Sequence, residues 1–248
     1  MKLMISVIST AEAKDALAGG AEILDVKNPE EGSLGAQSPQ IVREIAGTSA
    51  GKVKVSVAIG DMPNLPGTAA LAALGAAVCG ADYIKVGMMG PSNESEGADL
   101  LHEVNRAVRG YETCIIAAGY ADFNRINALD PGCLPDIAAY AGAGGILLDT
   151  AVKDGKTLFD FLDPSQLRIL AERTHRNGLL FGLAGALGEQ DLNPAHAIGA
   201  DIVGLRTAVC LDNRRSGPLE ATRIKKLLQA RDMIFNPEGI EPQAELKT

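Results

Sequence analysis

Apolar residues recur along the chain in short runs, and four of these share a common lead-in: AGGAEILDVK (18–27), VCGADYIKVG (78–87), AGAGGILLDT (141–150) and AIGADIVGLR (197–206). In each, a segment rich in small residues stops at glycine, the residue best suited to end a helix, and a brief apolar run follows. The pattern predicts a helix feeding a buried strand, used repeatedly. Four further runs, KLMISVI (2–8), VKVSVAIG (53–60), ETCIIAAG (112–119) and GLLFGLAG (178–185), bring the strands to eight. Between them, apolar positions fall at helical spacing over about 10–18, 38–48, 68–78, 94–109, 133–142, 165–176, 190–198 and 217–231.

Eight strands alternating with eight helices in 248 residues match an α/β fold of one kind, the single-domain (β/α)8 or TIM barrel. The competing doubly wound sheet is disfavoured because no G-x-G-x-x-G follows the first strand. No linker rich in proline, serine or charge divides the chain. Residues 1–234 are therefore expected to form one catalytic barrel domain, and 235–248, polar with two prolines, a C-terminal tail.

A barrel places its chemistry where strands end, and that rule selects residues. Asp25 and Lys27 lie two apart at the end of the second strand and share a face; Tyr83 and Lys85 do the same in the fourth. Asp149 ends the sixth strand, and the loop after it, AVKDGKT, carries Lys153 and Lys156. An amine in an apolar cavity beside a second ammonium has its pKa lowered by desolvation and by like-charge repulsion. Such an amine attacks carbonyls, and the imine stabilises a carbanion on the neighbouring carbon. Asp25 and Asp149 then move protons or hold a lysine charged. A structural salt bridge plugging the barrel mouth is the competing reading of any single pair. Spacing leaves open whether Lys27 or Lys85 forms the imine. Lys156 and Asp154, flanking a loop glycine, read as solvated charges.

Strands seven and eight run into small residues, GLAGALG and VGLRTAVC. These permit close backbone approach at the position where barrels commonly hold phosphate, with helix N-termini expected to follow. Gly185, Ala186, Gly204 and Arg206 are the candidate phosphate ligands, Arg206 as the ionic partner. The loop KNPEEGSLGAQSP after strand two is long enough to act as a lid, or to be a connector ending at a Ser38 cap with Pro39 behind it. In IGDMPNLPGT, Asp61 is a possible site residue within a turn-forming stretch.

Charge and composition narrow the partners. A formal net charge of -8 without a basic run excludes a nucleic-acid surface. Cys79, Cys114, Cys133 and Cys210 are scattered, which suits small buried side chains in a reducing compartment. His102, His175 and His196 lack metal-ligand spacing and are expected on helix surfaces, so no metal or other cofactor is expected. The N-terminal apolar run is too short for a signal peptide or a membrane span, so a cytoplasmic protein is expected. Alanine-rich apolar helix faces suggest a homo-oligomer.

The stretches GGAEILDVKNPEEGSLGA, VAIGDMPNLPGT, DYIKVG and LLDTAVKDGKTLFDFL together resemble the (5-formylfuran-3-yl)methyl phosphate synthases, also called 4-(hydroxymethyl)-2-furancarboxaldehyde-phosphate synthases, across about residues 3–230. The resemblance implies a barrel lyase that condenses two molecules of glyceraldehyde 3-phosphate into a furan aldehyde phosphate, releasing phosphate and water, for methanofuran or methylofuran synthesis. By the same resemblance Lys27 in DVKNP is the Schiff-base lysine and Lys85 in YIKVG the proton acceptor. Asp25, Asp149 and Lys153 match the remaining active-site positions. Two rival readings share these residues: another Schiff-base aldolase or phosphosugar enzyme on the same barrel, and a silent sugar-phosphate binder.

Overall fold

A computed structural model describes residues 1–235, and the part of the expected tail at 236–248 lies outside the described residues. The strands are β1 (Lys2–Val7), β2 (Ile23–Val26), β3 (Lys54–Asp61), β4 (Tyr83–Gly87), β5 (Cys114–Tyr120), β6 (Gly145–Asp149), β7 (Leu180–Leu183) and β8 (Ile202–Leu205). They alternate with α1 (Thr10–Gly19), α2 (Pro39–Ser49), α3 (Pro66–Val78), α4 (Glu94–Ala107), α5 (Leu134–Tyr140), α6 (Pro164–Arg176), α7 (Leu192–Ile198) and α8 (Ala221–Phe235). All neighbouring strands are parallel, and β8 pairs back to β1, closing the expected barrel.

Every strand is buried on both faces, and alternation sorts its residues into two cores. Leu3, Ile5 and Val7 of β1, Leu24 and Val26 of β2, and Ile84 and Val86 of β4 face the helices in one continuous apolar layer. Met4, Ile23, Ala58, Ile116, Ala118, Leu147, Ala184 and Ile202 fill the inside of the barrel. The inward positions turn polar toward the strand ends, where Ser6, Asp25, Lys27, Lys85 and Asp149 are all buried.

Helix ends follow local chemistry. Ser9 caps α1 by accepting from the Glu12 amide, and Gly20 ends it in the left-handed region. Ser38 and Pro39 start α2 as expected. The last helix differs from the expected 217–231: Leu219 forms an antiparallel bridge with Cys210, which holds the Ser216–Pro218 stretch out of helical form until Ala221. A 3-10 turn at Glu189–Asp191 precedes α7, the helix expected at 190–198, and another at Thr207–Val209 follows β8 before α8 begins.

All four cysteines are free thiols, with Cys79 and Cys210 buried and Cys114 and Cys133 half-buried. No helix among the described residues is long and apolar enough to cross a membrane.

Candidate active site

A cavity of about 340 Å³ opens at the C-terminal ends of the strands, a volume suited to small ligands. Asp25, Lys27, Lys85, Asp149, Lys153, Gly185, Ala186, Gly204 and Arg206, drawn from β2, β4, β6, β7 and β8 and their loops, all line it. Its lining holds six cationic side chains against two carboxylates, the reverse of the chain's overall charge. Such a cavity favours anionic ligands.

The two buried lysines differ in their surroundings. Lys85 Nζ lies 2.6 Å from Asp25 Oδ1, with side chains 3% and 1% exposed, and Ser6 Oγ donates to the other Asp25 oxygen at 2.9 Å. Burial raises the Asp25 pKa, but Lys85 and then Lys27 outweigh it and hold the carboxyl below its ordinary value. Lys27 is 7% exposed, and its amine has no carboxylate within ion-pair distance among the described residues. Burial is the main cause that brings Lys27 down from 10.5 to about 8; Lys85 and Lys153 add to the fall, while Asp149 and Asp25 oppose it. One amine is thus clamped by a carboxylate, and the other is partly neutral near pH 7.

Asp149 accepts from Lys153 Nζ at 2.7 Å and from the Thr150 amide at 2.7 Å. Burial acts to raise its pKa, but Lys153 and Lys27 hold it well below the usual carboxylate range. The loop carrying Lys153 is fixed by Asp122, a buried carboxylate accepting from the amides of Ala151 at 2.7 Å and Val152 at 3.0 Å. Lys156, expected as a solvated charge, is exposed but stands on the cavity rim. Asp154 is paired outside it with Arg125 at 2.7 Å.

After β7 the backbone turns through Gly185 (φ 98) and Ala186 (φ 55), both left-handed. For alanine this conformation costs about 1–2 kcal/mol. The amides of these two residues make no hydrogen bond among the described residues.

Arg206 corrects an expectation. Its guanidinium is buried, paired with both carboxylate oxygens of Glu12, and donates to the carbonyls of Ser6 at 3.1 Å, Arg215 at 3.0 Å and Gly217 at 3.4 Å. These five contacts occupy all five of its N–H donors, so it has none left for a phosphate. The reason is topological: β8 neighbours β1 in the closed barrel, which brings Glu12 of α1 beside it.

The loop after β2 is pinned across the mouth. Asp61 accepts from the amides of Ser33 at 2.9 Å and Leu34 at 3.2 Å and from the Tyr120 hydroxyl. Ser33 Oγ donates to the Thr150 carbonyl at 2.8 Å, and Leu34 is fully buried in the inner core. Gly32 (φ 129) is required here, because a Cβ would overlap the Asp61 carboxylate. Asp61 is thus a clamp for this strap. The histidines lie on helices α4, α6 and α7, away from the cavity lining.

Known proteins show two levels of likeness. Among solved structures, a 3-hexulose-6-phosphate synthase superposes with TM-score 0.62 at 18% identity, covering 93% of this chain and 99% of that one. A deoxyribose phosphate aldolase from Aeropyrum pernix gives TM-score 0.62 at 16% identity, covering 94% and 90%. These establish the shared barrel fold. Proteins named (5-formylfuran-3-yl)methyl phosphate synthase are much more similar. The one from Methanothermobacter thermautotrophicus is 46% identical over 94% of this chain and 99% of its own length. That from Methanopyrus kandleri is 44% identical over 92% and 98%. The family model for 4-HFC-P synthase matches residues 3–228, nearly the whole described chain. With identity this high across the entire barrel, the chain belongs to the 4-HFC-P synthase family.

Proposed function

We propose that the protein condenses two molecules of glyceraldehyde 3-phosphate into (5-formylfuran-3-yl)methyl phosphate, with phosphate and water as the other products, through an imine on Lys27. The observation that carries this reading is the contrast between the two amines: Lys85 is ion-paired with Asp25, whereas Lys27 has no such partner and a pKa brought down to about 8. A neutral amine attacks the first aldehyde, and loss of water gives the iminium.

The iminium acidifies the adjacent C–H. The Asp25–Lys85 pair accepts that proton as a coupled unit, so the proton belongs to the pair rather than to either residue alone. The electron pair left behind becomes an enamine, which expels phosphate from the next carbon or attacks the second aldehyde. Asp149 and Lys153 stand on the opposite strand end, placed to handle the hydroxyls lost as water. Closure to an aromatic ring makes the final steps downhill. The free amides of Gly185 and Ala186 are the proposed seat of the retained phosphate. The product would serve as the furan precursor of a methanofuran-type cofactor.

The test is incubation with glyceraldehyde 3-phosphate, borohydride reduction and peptide mass spectrometry, with an unreduced sample followed for furan absorbance. A reduced adduct on Lys27 together with a furan band is the expected result. An adduct on Lys85 would reverse the two lysines, and an adduct without furan would indicate a different Schiff-base aldolase. Neither adduct nor furan would reject the reaction for this substrate.

A further inference from the structure

Arg206 is occupied by Glu12, so a phosphate dianion in this cavity must take its charge partner from elsewhere. Lys85 is held by Asp25 and Lys153 by Asp149. Lys156 is exposed on the rim, with its ammonium 5.7 Å from the Phe161 ring centre. Lys27 is reserved for the carbonyl in the proposed reaction. Arg215 is the remaining cation of the lining.

Its surroundings differ from those of the other arginines near it. Arg214 pairs with Asp212, and Arg223 with Glu220. Arg215 has no carboxylate within ion-pair distance among the described residues. Its guanidinium donates to the Gly32 carbonyl of the strap at 3.3 Å, which leaves most of its planar donor fork available. Burial lowers its pKa from the ordinary arginine value, opposed by Asp149 and Asp61 across the mouth. A half-buried guanidinium held without a counter-charge in a cationic cavity is poorly compensated until an anion enters. The segment that carries it is built for presentation: Arg206 donates to the carbonyls of Arg215 and Gly217, and so folds the loop after β8 back over the cavity.

We propose that Arg215 is the phosphate-recognition residue of this site, binding the phosphate of a triose phosphate through its guanidinium while Arg206 only positions the loop. This rests on the triose-phosphate reading above. It also makes Arg215 the joint between the bound phosphate and the strap, since one guanidinium reaches both.

The test uses glycerol 3-phosphate, which carries the phosphate but no carbonyl and cannot form an imine, titrated by calorimetry into the full chain. Arg215→Gln is expected to weaken binding at least about tenfold, the loss of one charge-assisted, bidentate contact. Arg215→Lys should weaken it less, and Arg214→Gln, at an exposed neighbour, should leave it within about twofold. Thermal melting checks that each variant is folded. Partial recovery of binding in Arg215→Lys relative to Arg215→Gln, at equal melting temperature, is the readout that a merely structural role for Arg215 would not predict. Binding by folded Arg215→Gln equal to wild type, or no binding by wild type, overturns the proposal. Furan formation by wild type with Arg215-indifferent binding would reject this subsite and keep the reaction. Arg215-dependent binding without furan would do the reverse.

Discussion

Replacing Lys27 by methionine should abolish imine trapping and make the protein more stable at neutral pH. The fold lowers the Lys27 pKa from 10.5 to about 8, chiefly by burial. At the energy of a tenfold ratio per pH unit, that displacement corresponds to about 3 kcal/mol by which the folded state disfavours the ammonium. Methionine has a similar reach and no charge to desolvate. The gain should therefore approach about 3 kcal/mol at pH 7, or about 6–12 °C in melting temperature for a chain of this size.

The pH dependence makes the test specific. Below about pH 8 both folded and unfolded Lys27 are protonated, and the wild type bears the full penalty. Between about 8 and 10.5 the folded protein has released the proton while the unfolded chain keeps it, so wild-type stability rises with pH. The advantage of Lys27→Met should shrink across that window and vanish above it. Urea unfolding of both proteins at pH 7, 9 and 10.5 follows this group, because titrations that do not depend on Lys27 cancel in the difference. Equal stability at pH 7, or an advantage constant with pH, would refute the claim that Lys27 is a destabilised ammonium.

Three further outcomes follow from the same geometry. The rate of borohydride trapping should rise through about pH 8; Lys85→Met, which removes a depressing charge, should move that limb upward, and Asp149→Asn, which removes a sustaining one, downward. Gly32→Ala should cost about 1–3 kcal/mol through its left-handed backbone, with further loss from overlap with Asp61; amide exchange at Ser33 and Leu34 should quicken, as denaturation and exchange measurements would show. Glu12→Gln leaves the buried Arg206 guanidinium without its counter-charge; a loss of about 3–5 kcal/mol in urea unfolding and faster proteolysis of the 211–217 loop are expected.

What could be read before folding, and what could not, divides along a physical line. Short apolar runs after glycine-terminated helices are local properties, so the eight strands and the barrel they form by alternating with eight helices were legible, and a spacing of two put Asp25 and Lys27 on one face. Pairing is not local. Arg206 looked like a phosphate ligand until barrel closure brought Glu12, 194 positions away in sequence, to its guanidinium. Asp61 looked like part of a turn because the amides it accepts from lie 27 and 28 positions earlier. Arg215 sits in LDNRRSGPLE, a polar run that reads as surface, and nothing in it signals a cavity. The two lysines were equivalent by spacing for the same reason. Asp25 and Lys27 face inward from one strand about 7 Å apart along it, so a lysine two strands away can pair with Asp25 and leave Lys27 unpaired. Register supplies that lysine: Asp25 pairs across to Ser56, and Lys85 to Ala58 two residues further along the same strand. Lys85 Nζ reaches Asp25 at 2.6 Å, and Lys27 is left without an ion-pair partner among the described residues. The difference between a paired amine and a reactive one therefore depends on strand register and on the carboxylate it brings to Lys85, and Asp25→Asn, which removes that counter-charge, should narrow the gap between the two lysines in a trapping experiment.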